Sequence, residues 1–485
     1  ARWVGELAQR YPAREITPLT PWFANISIHD VEITGCSTLV DVSALPEKPV
    51  KNFFFGNVKA HCDRIGKICD ATKFSMKDVR IESCDTVMRI DNCDYASFFG
   101  FSNVTTGSSV KIEKTGGECR YLNVQTYPLV PVNYQSIRPG EVWLDTEGKP
   151  IQAHGFQVTF REGKYYWYGE DKTHTLFGTN RMFGGVRCYS STDFYNWKDE
   201  GRIIEPATDP HSPLHHCQKL ERPHILYCAK TGRYVCWLKS QSNDGHFVIL
   251  EAEHFMGPYH FVRNLKPNGF AVGDFDMYAD PDTGKGYVWF ERPHWEQICA
   301  ELSDDYTNVN GRYSEHFVGK VPPFTREAAA HFVMDGKHYI YTSGTTSYTP
   351  NPSEVAVFDD YHGEYTVLGN PHIGDEYAHS FCSQITSVIK IPGKDLYVAM
   401  ADRWLPHTNK TDIPKKDWQS FLTRYKDHRP YPKDFATPKV ADRFYTLVNP
   451  NQDVYKATYV FLPIVVKDGI PMIEWKDEWK LENYE

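Results

Sequence analysis

Several classes of protein are excluded by what the 485-residue sequence lacks. No apolar run approaches the ~20 residues that a membrane-spanning helix needs. The twelve cysteines form no C-x-x-C pair, which argues against a zinc ribbon. Positive charge is not in excess: the net charge is −9 and the pI is near 6.1, so a nucleic-acid partner is not expected. The opening residues, ARWVGELAQR, show neither an initiator Met nor a signal peptide, which is consistent with a mature or trimmed product.

The composition is that of a folded chain with more than one domain. Hydrophobic residues make up 41% and charged residues 24%, so the chain can bury a core and is not disordered. The length favours two or three domains. Aromatic residues reach 14%, and a sugar-binding surface and a β-rich core would both use so many rings.

The first part of the chain carries a short repeat. Asp or Asn precedes valine five times, and the valines are 27, 21, 25 and 20 residues apart, at Val31, Val58, Val79, Val104 and Val124. Cysteines recur with a similar step. A period of 20–27 residues with short alternating strands predicts a stacked solenoid, and the absence of a Leu-x-x-Leu-x-Leu pattern favours a parallel β-helix. Val and Cys would point inward, so the cysteines are interpreted as small buried apolar residues, with disulfides as the alternative.

About residues 20–125 resemble the C-terminal coils of the pectin-degrading hydrolases of glycoside hydrolase family 28. The NTD, DD, GHG and RIK motifs of that family's active site are absent, so no catalysis is assigned to this part. A structural role, carbohydrate binding and capping of the following domain remain open. The segment YPLVPVNYQSIRPGEV (127–142) has three prolines and reads as a connection, which places a β-helix-like domain at 1–130 and a second domain at 131–485.

The second domain carries a longer repeat. Five segments share a turn glycine, a basic residue and an alternating aromatic strand, and the glycines are Gly163, Gly232, Gly284, Gly336 and Gly393. Repeats of 50–70 residues without long helical periodicity predict small antiparallel sheets, and five copies predict a five-bladed β-propeller. The segment YVFLPIVVKDGIPMIEW would complete the last blade. The predicted fold class is therefore all-β, a right-handed parallel β-helix segment followed by a five-bladed propeller.

A polar residue stands 8–11 positions before each turn glycine, at the start of the predicted first strand of each blade: His154, Glu221, Asp276, Glu327 and Gln384. First strands line the channel of a propeller, so these five groups are expected to meet at one mouth. Water in the channel would explain polarity alone, but three carboxylates brought together would raise a pKa and favour catalysis. For the adjacent pair Arg326 and Glu327, a surface salt bridge is the alternative.

Nine motifs, in order along about residues 143–480, resemble signatures of the exo-β-1,3-galactanase-like branch of glycoside hydrolase family 43, a family of five-bladed propellers. They read IQAHGF, YYWYGE, LERP, FDM, REAA, TSGTTSYTPN, SQIT, ADRW and YVFLPI. In this resemblance Glu327 matches the general acid, and Asp276 matches the residue that orients the acid and tunes its pKa. Glu221 and Gln384 match groups that position or activate water. Most of the wider family has an aspartate base at the position of His154. The galactanase-like branch lacks that aspartate, and so does this sequence.

The resemblance also implies residues beside the substrate. Thr346 and Tyr348 match substrate-contacting positions, although the branch usually has Trp in place of Tyr348. Arg403 and Trp404 would support the site, with a core tryptophan beside a structural arginine as the alternative. Further departures from the branch pattern leave the exact sugar open; they stand at Phe156, Leu220, Phe275 and Ala329.

Hydrolysis of a glycoside needs a proton donor for the leaving oxygen and a nucleophile at the anomeric carbon. Glu327 is expected to hold the proton, because burial beside Asp276 would raise its pKa. An inverting reaction is expected, with Gln384 holding the water and Glu221 acting as the base or as a ligand of a sugar hydroxyl.

The expected protein is an exo-acting β-galactosidase of β-1,3-galactan, arabinogalactan or pectic side chains, with a plant cell-wall saccharide as its partner. An α-L-arabinofuranosidase or β-xylosidase is an alternative, which the missing first-blade aspartate disfavours. A non-catalytic carbohydrate-binding protein is another, which the retained Glu327 disfavours. No cofactor is expected, and the sequence is compatible with a structural calcium ion without predicting one. The substrate class implies a secreted or periplasmic location.

Overall fold

The structure is a computed structural model that describes residues 12–126, 132–173, 175, 182–241, 245–320, 324–346, 348, 350–376, 378–404 and 454–485. The chain divides into two compact units, Ala1–Val132 with Glu147–Lys149 and Asn133–Thr146 with Pro150–Glu485. The predicted boundary between residues 130 and 131 lies outside the described residues. Within the described part no helix is long and apolar enough to cross a membrane.

The first unit is a β-solenoid of about four turns, as the sequence predicted. Its strands pair in parallel except for β4 with β5, which pair antiparallel. They are β1 (Ala24–Ser43), β2 (Val50–Glu82), β3 (Val87–Asp94), β4 (Ser97–Asn103), β5 (Ser108–Ser109), β6 (Lys111–Lys114) and β7 (Asn123–Gln125).

The inward residues of the solenoid follow the predicted repeat in its central coils. Val58 and Val79 are fully buried, and Val31 pairs with Val58 in register. Val104 and Val124 are 53% and 45% exposed, because the pairing register sets Val79 opposite Phe101 rather than opposite a valine. The repeat alignment was therefore wrong for the last two coils.

The Asp and Asn residues before the valines have a structural explanation in the first three coils. Asp30, Asn57 and Asp78 have φ angles of 55°, 46° and 50°, in the left-handed region that Asn and Asp tolerate best after Gly. The Asn57 side-chain amide donates to the Asp30 carboxylate at 2.6 Å, which links two successive coils. The cysteines of the described residues form no disulfides, and Cys62 and Cys93 lie in the solenoid core while Cys84 is exposed.

The second unit is a five-bladed β-propeller, as predicted. Four blades are four-stranded antiparallel sheets and the fifth has five strands. Blade I contains β8 (His154–Arg161), β9 (Lys164–Glu170), β10 (Val186–Ser191) and β11 (Lys198–Ile204). Blade II contains β12 (Leu220–Cys228), β13 (Arg233–Ser240), β14 (His246–Ala252) and β15 (His260–Leu265). Blade III contains β16 (Phe275–Ala279), β17 (Gly286–Glu291), β18 (Gln297–Leu302) and β19 (Val309–His316).

Blade IV contains β20 (Arg326–Met334), β21 (Lys337–Gly344), β22 (Glu354–Phe358) and β23 (Thr366–Gly369). Blade V contains β24 (His372–Ile373), β25 (Gln384–Lys390), β26 (Tyr397–Arg403), β27 (Thr458–Lys467) and β28 (Ile470–Glu474). Strands β27 and β28 come from the segment predicted to complete the last blade. Short 3-10 turns occupy Pro267–Gly269, Ser380–Cys382, Val454–Lys456 and Leu481–Asn483.

The ring closes through its inner strands and through apolar layers between blades. Inner strands β8, β12, β16, β20 and β25 each contact the next, and β25 contacts β8. Hydrophobic clusters fill the space between successive blades, and Trp167, Trp237, Trp289 and Tyr341 are fully buried in four of them. The five predicted turn glycines all have φ between 67° and 78°, a conformation that favours glycine.

Candidate active site

The inner strands begin with backbone irregularities that aim side chains at the propeller axis. The pairing register shifts after His154, Glu221 and Glu327, and the next residue has a left-handed φ: 52° at Gly155, 52° at Arg222 and 49° at Ala328. A bulge of this kind redirects the neighbouring side chain. For Arg222 and Ala328 the conformation costs about 1–3 kcal/mol, and such strain is found where the surroundings hold a functional site.

A small pocket of about 140 Å³ lies at this end of the ring. Predicted residues that line it are Glu221, Glu327, Gln384, Tyr348 and Trp404. It is also lined by charged or polar residues that the sequence reasoning had not assigned: Glu170, Lys219, Arg222, Lys239, Gln241 and Asp274. All five blades therefore contribute a polar residue to one site, four of them from the first strand or from a residue just before it.

The carboxyl of Glu327 is placed to hold a proton. Burial raises its pKa well above the ordinary value, and the carboxylates of Asp274 and Glu291 raise it further. Nearby Lys239 and Arg222 oppose this effect without cancelling it. Asp274 and Glu291, rather than the predicted neighbour Asp276, are the carboxylates that raise the pKa of Glu327 most.

Glu221 has the opposite electrostatic environment. Burial by itself would raise its pKa, but Lys239, Lys219 and Lys172 outweigh that effect and hold the pKa well below the ordinary value. Lys239 lies 2.8 Å and Lys219 3.3 Å from its two carboxylate oxygens. Gln241 donates a further hydrogen bond at 3.0 Å. One pocket thus holds carboxyls of both kinds: burial raises the pKa of Glu327 and of Glu170, while nearby cations lower the pKa of Glu221.

A buried ion network joins the two carboxyls. The Asp274 carboxylate forms ion pairs with Lys239 and with Arg222, each at 2.7 Å. Burial would raise the Asp274 pKa, yet the two cations hold it below the ordinary value. Arg222 also donates to the Gln384 side-chain carbonyl at 2.6 Å, while its backbone amide donates to Glu170 at 3.0 Å. Hydrogen bonds of its backbone amide and of its side chain therefore hold Arg222 in its left-handed conformation.

Gln384 is oriented by four neighbours. Its carbonyl oxygen accepts from Arg222 and, at 3.3 Å, from the indole of Trp404. Its amide nitrogen donates to Ser343 at 3.0 Å and lies 3.4 Å from Glu327. The rings of Trp404 and Tyr348 meet edge-on with centroids 5.5 Å apart, and they form an aromatic wall of the pocket.

Two members of the predicted ring of five do not reach the pocket. His154 is fully buried, and it contacts Asp402 at 3.0 Å and stacks on Tyr459. Asp276 is also buried, where it accepts the backbone amide of His331 at 2.6 Å and contacts His224 at 3.0 Å. Both residues are held by these buried contacts, and neither lines the pocket.

The remaining predicted residues also have defined places. Thr346 accepts a hydrogen bond from Asn351 at 2.7 Å and is buried, and Arg403 is half-buried on β26; neither lines the pocket. Arg326 does not pair with Glu327. Its guanidinium donates to Thr342 and lies 3.4 Å from Glu354, so it ties β20 to the neighbouring strands of its blade.

Two of the unassigned residues, Glu170 and Lys239, occupy a position that recurs at a regular distance from the turn glycines. The residue at the start of each inner strand is paired with, or lies beside, a polar residue at the end of the second strand. This polar residue comes seven positions after the turn glycine in four blades and nine positions after it in the fifth. These residues are Glu170, Lys239, Glu291, Ser343 and Asp402. In blade III the Glu291 amide bonds the Asp274 carbonyl, so Asp274, not Asp276, is equivalent to Glu221 and Glu327.

One group of potential metal ligands occurs among the described residues. The ligand atoms of His215, His216 and Cys217 lie within 4.8 Å of one another. These consecutive loop residues supply three of the four ligands that a structural zinc site usually has, and the described residues add no fourth. None of the three lines the pocket.

The chain is similar to known glycosyl hydrolases. The family model "Glycosyl hydrolases family 43" matches residues 156–388. A solved family 43 β-1,3-galactosidase is 28% identical, with a TM-score of 0.58 over 73% of this chain and 65% of that one. A second solved family 43 β-1,3-galactosidase is 27% identical, with a TM-score of 0.58 over 71% of this chain and 100% of that one. An exo-β-1,3-galactanase from Clostridium thermocellum is 25% identical, with a TM-score of 0.54 over 71% of this chain and 66% of that one. The chain thus spans slightly less than two thirds of the first structure's length, and no curated protein matches it.

Proposed function

The model of glycosyl hydrolases family 43 matches residues 156–388, and from this premise we propose that the chain is an exo-acting, inverting β-galactosidase of β-1,3-linked galactan or related plant cell-wall side chains. The observation that carries the proposal is the pair of carboxyls with opposed pKa shifts in one pocket, Glu327 raised and Glu221 lowered. Two titratable groups driven apart in this way serve as acid and base. A secreted location is part of the same proposal.

In the proposed mechanism Glu327 donates its proton to the leaving glycosidic oxygen. The reacting sugar lies against Tyr348 and Trp404, whose rings match the apolar face of a pyranose. Gln384 orients the attacking water with the amide proton that Ser343 does not take, and it does not act as the base, because an amide is not basic at neutral pH. Glu221 stays ionised and accepts the water proton as the bond to the anomeric carbon forms.

The choice of galactose is supported by two solved relatives described as β-1,3-galactosidases, one of them bound to galactodeoxynojirimycin. A panel of aryl glycosides and β-1,3-galacto-oligosaccharides tests it directly. Galactose should be released from chain ends, first as the α anomer when followed by proton NMR. Release of arabinose or xylose would instead identify an arabinofuranosidase or xylosidase, and saccharide binding without any release would identify a binding protein.

The pH dependence should respond to Glu291, a buried carboxyl with a pKa raised to about 7 by burial and by Asp274. Its negative charge helps to raise the pKa of Glu327. Glu291→Gln removes that charge, so the Glu327 pKa falls and the alkaline limb of the kcat/KM profile moves to lower pH. The acid limb, set by Glu221, should stay in place.

Glu301→Gln is the matched control, because Glu301 lies on the neighbouring strand β18 and pairs with Lys285. Its pH profile should equal that of the wild type. An alkaline limb that does not move in Glu291→Gln would show that Glu327 does not set it.

A further inference from the structure

A second and larger cavity of about 800 Å³ adjoins the pocket. Glu327, Asp274, Lys239 and Gln241 line both. Glu327 therefore stands on the wall that the two spaces share. Glu221, Gln384, Tyr348 and Trp404 line the small pocket alone.

This division fixes which part of a substrate each space can hold. A general acid must lie within about 2.6–3.2 Å of the oxygen that it protonates. The water-side groups Glu221 and Gln384 belong to the small pocket, so the sugar that is attacked must lie there. The leaving part of the substrate begins at Glu327 on the other side, which is the larger space.

The wall of the larger space carries an exposed tryptophan on an ordered turn. Trp295, in the turn between β17 and β18, is 60% exposed. The Arg292 guanidinium lies 5.1 Å from its ring centroid and 5.6 Å from that of Phe270, and it pairs with Glu296 at 2.7 Å. The Trp295 amide closes the turn by donating to the Arg292 carbonyl at 2.8 Å. The ring is thus held in place while its surface stays open to solvent.

We propose that this larger space is the binding site for the leaving saccharide and that Trp295 is its stacking platform. The proposal rests on the function proposed above. A large planar ring with an amphipathic edge suits the C–H face of a sugar. Because the pocket for the attacked sugar is small and the leaving side is large, the site accepts a chain end and leaves the rest of the polymer in the larger space.

The test compares two substrates that differ in the leaving side alone. β-Galactosyl fluoride has a one-atom leaving group that cannot reach Trp295, whereas β-1,3-galactotriose extends a disaccharide into the larger space. Trp295→Ala should lower kcat/KM for the trisaccharide about 10-fold, the scale of one lost aromatic contact, and leave the fluoride unchanged. Tyr227→Ala, which removes a 44% exposed ring on β12 outside both spaces, is the control and should change neither.

If Trp295→Ala lowers kcat/KM equally for both substrates, or for neither, Trp295 is not a stacking platform for the leaving saccharide. Failure of the proposed function has a different signature, because the wild type would then release a sugar other than galactose. In that case the same comparison is made with the fluoride and the oligosaccharide of the sugar released, and the Trp295 result keeps its meaning. Thermal unfolding of each variant checks that the exposed substitution leaves the fold intact.

Discussion

Replacing Glu327 by Gln is expected to lower kcat on β-1,3-galactobiose by about 10²–10⁴-fold, the range that general acid catalysis contributes. The amide keeps the shape and the hydrogen-bonding capacity of the protonated carboxyl, so KM should change little. An activated nitrophenyl galactoside should lose much less, because nitrophenolate leaves with little protonation. Burial and the carboxylates of Asp274 and Glu291 keep Glu327 protonated in the wild type, so the neutral amide should also leave the fold stable.

Gln384→Ala serves as the comparison, because Gln384 acts on the water and not on the leaving group. Its loss should be similar for the disaccharide and the aryl galactoside. The two variants are measured with both substrates, and the quantity compared is the ratio of the two losses. Near wild-type cleavage of the disaccharide by Glu327→Gln would remove Glu327 from the mechanism and favour a carbohydrate-binding protein.

Glu221→Ala is expected to lower kcat by a similar factor of about 10²–10⁴. Azide, which needs no deprotonation, should restore part of the rate when it enters the space left by the carboxylate. Because it attacks from the side of the water, the product should be α-galactosyl azide. Lys239 retains Asp274 as a partner at 2.7 Å, so the network should survive the change.

The control is Gln241→Ala, which opens space beside Glu221 in the same pocket without removing a proton acceptor. Azide should not accelerate this variant. If Glu221→Ala raises KM and azide has no effect, Glu221 is a ligand of a sugar hydroxyl instead of the base.

Much of the fold followed from local chemistry in the sequence. The five turn glycines and the aromatic alternation after them specify hairpins, and their repetition specifies blades. The solenoid repeat was readable where Asp or Asn occupies a left-handed corner, as at Asp30 and Asn57. It failed at Val104, where pairing register and not local pattern decides which side chain points inward.

The sequence alone brought Glu221, Glu327 and Gln384 to one site, because equivalent positions of repeated blades must meet around an axis. The choice between Asp274 and Asp276 was beyond it. Inner strands β12 and β20 begin with bulges, whereas β16 pairs without a register shift. Equivalent residues therefore lie at unequal distances from the turn glycine, and counting along the chain does not reveal this. The electrostatics were equally inaccessible. Lys239, Asp274 and Glu291 come from different segments of the chain, and only the tertiary structure sets the distances and the burial through which they raise one carboxyl pKa and lower another.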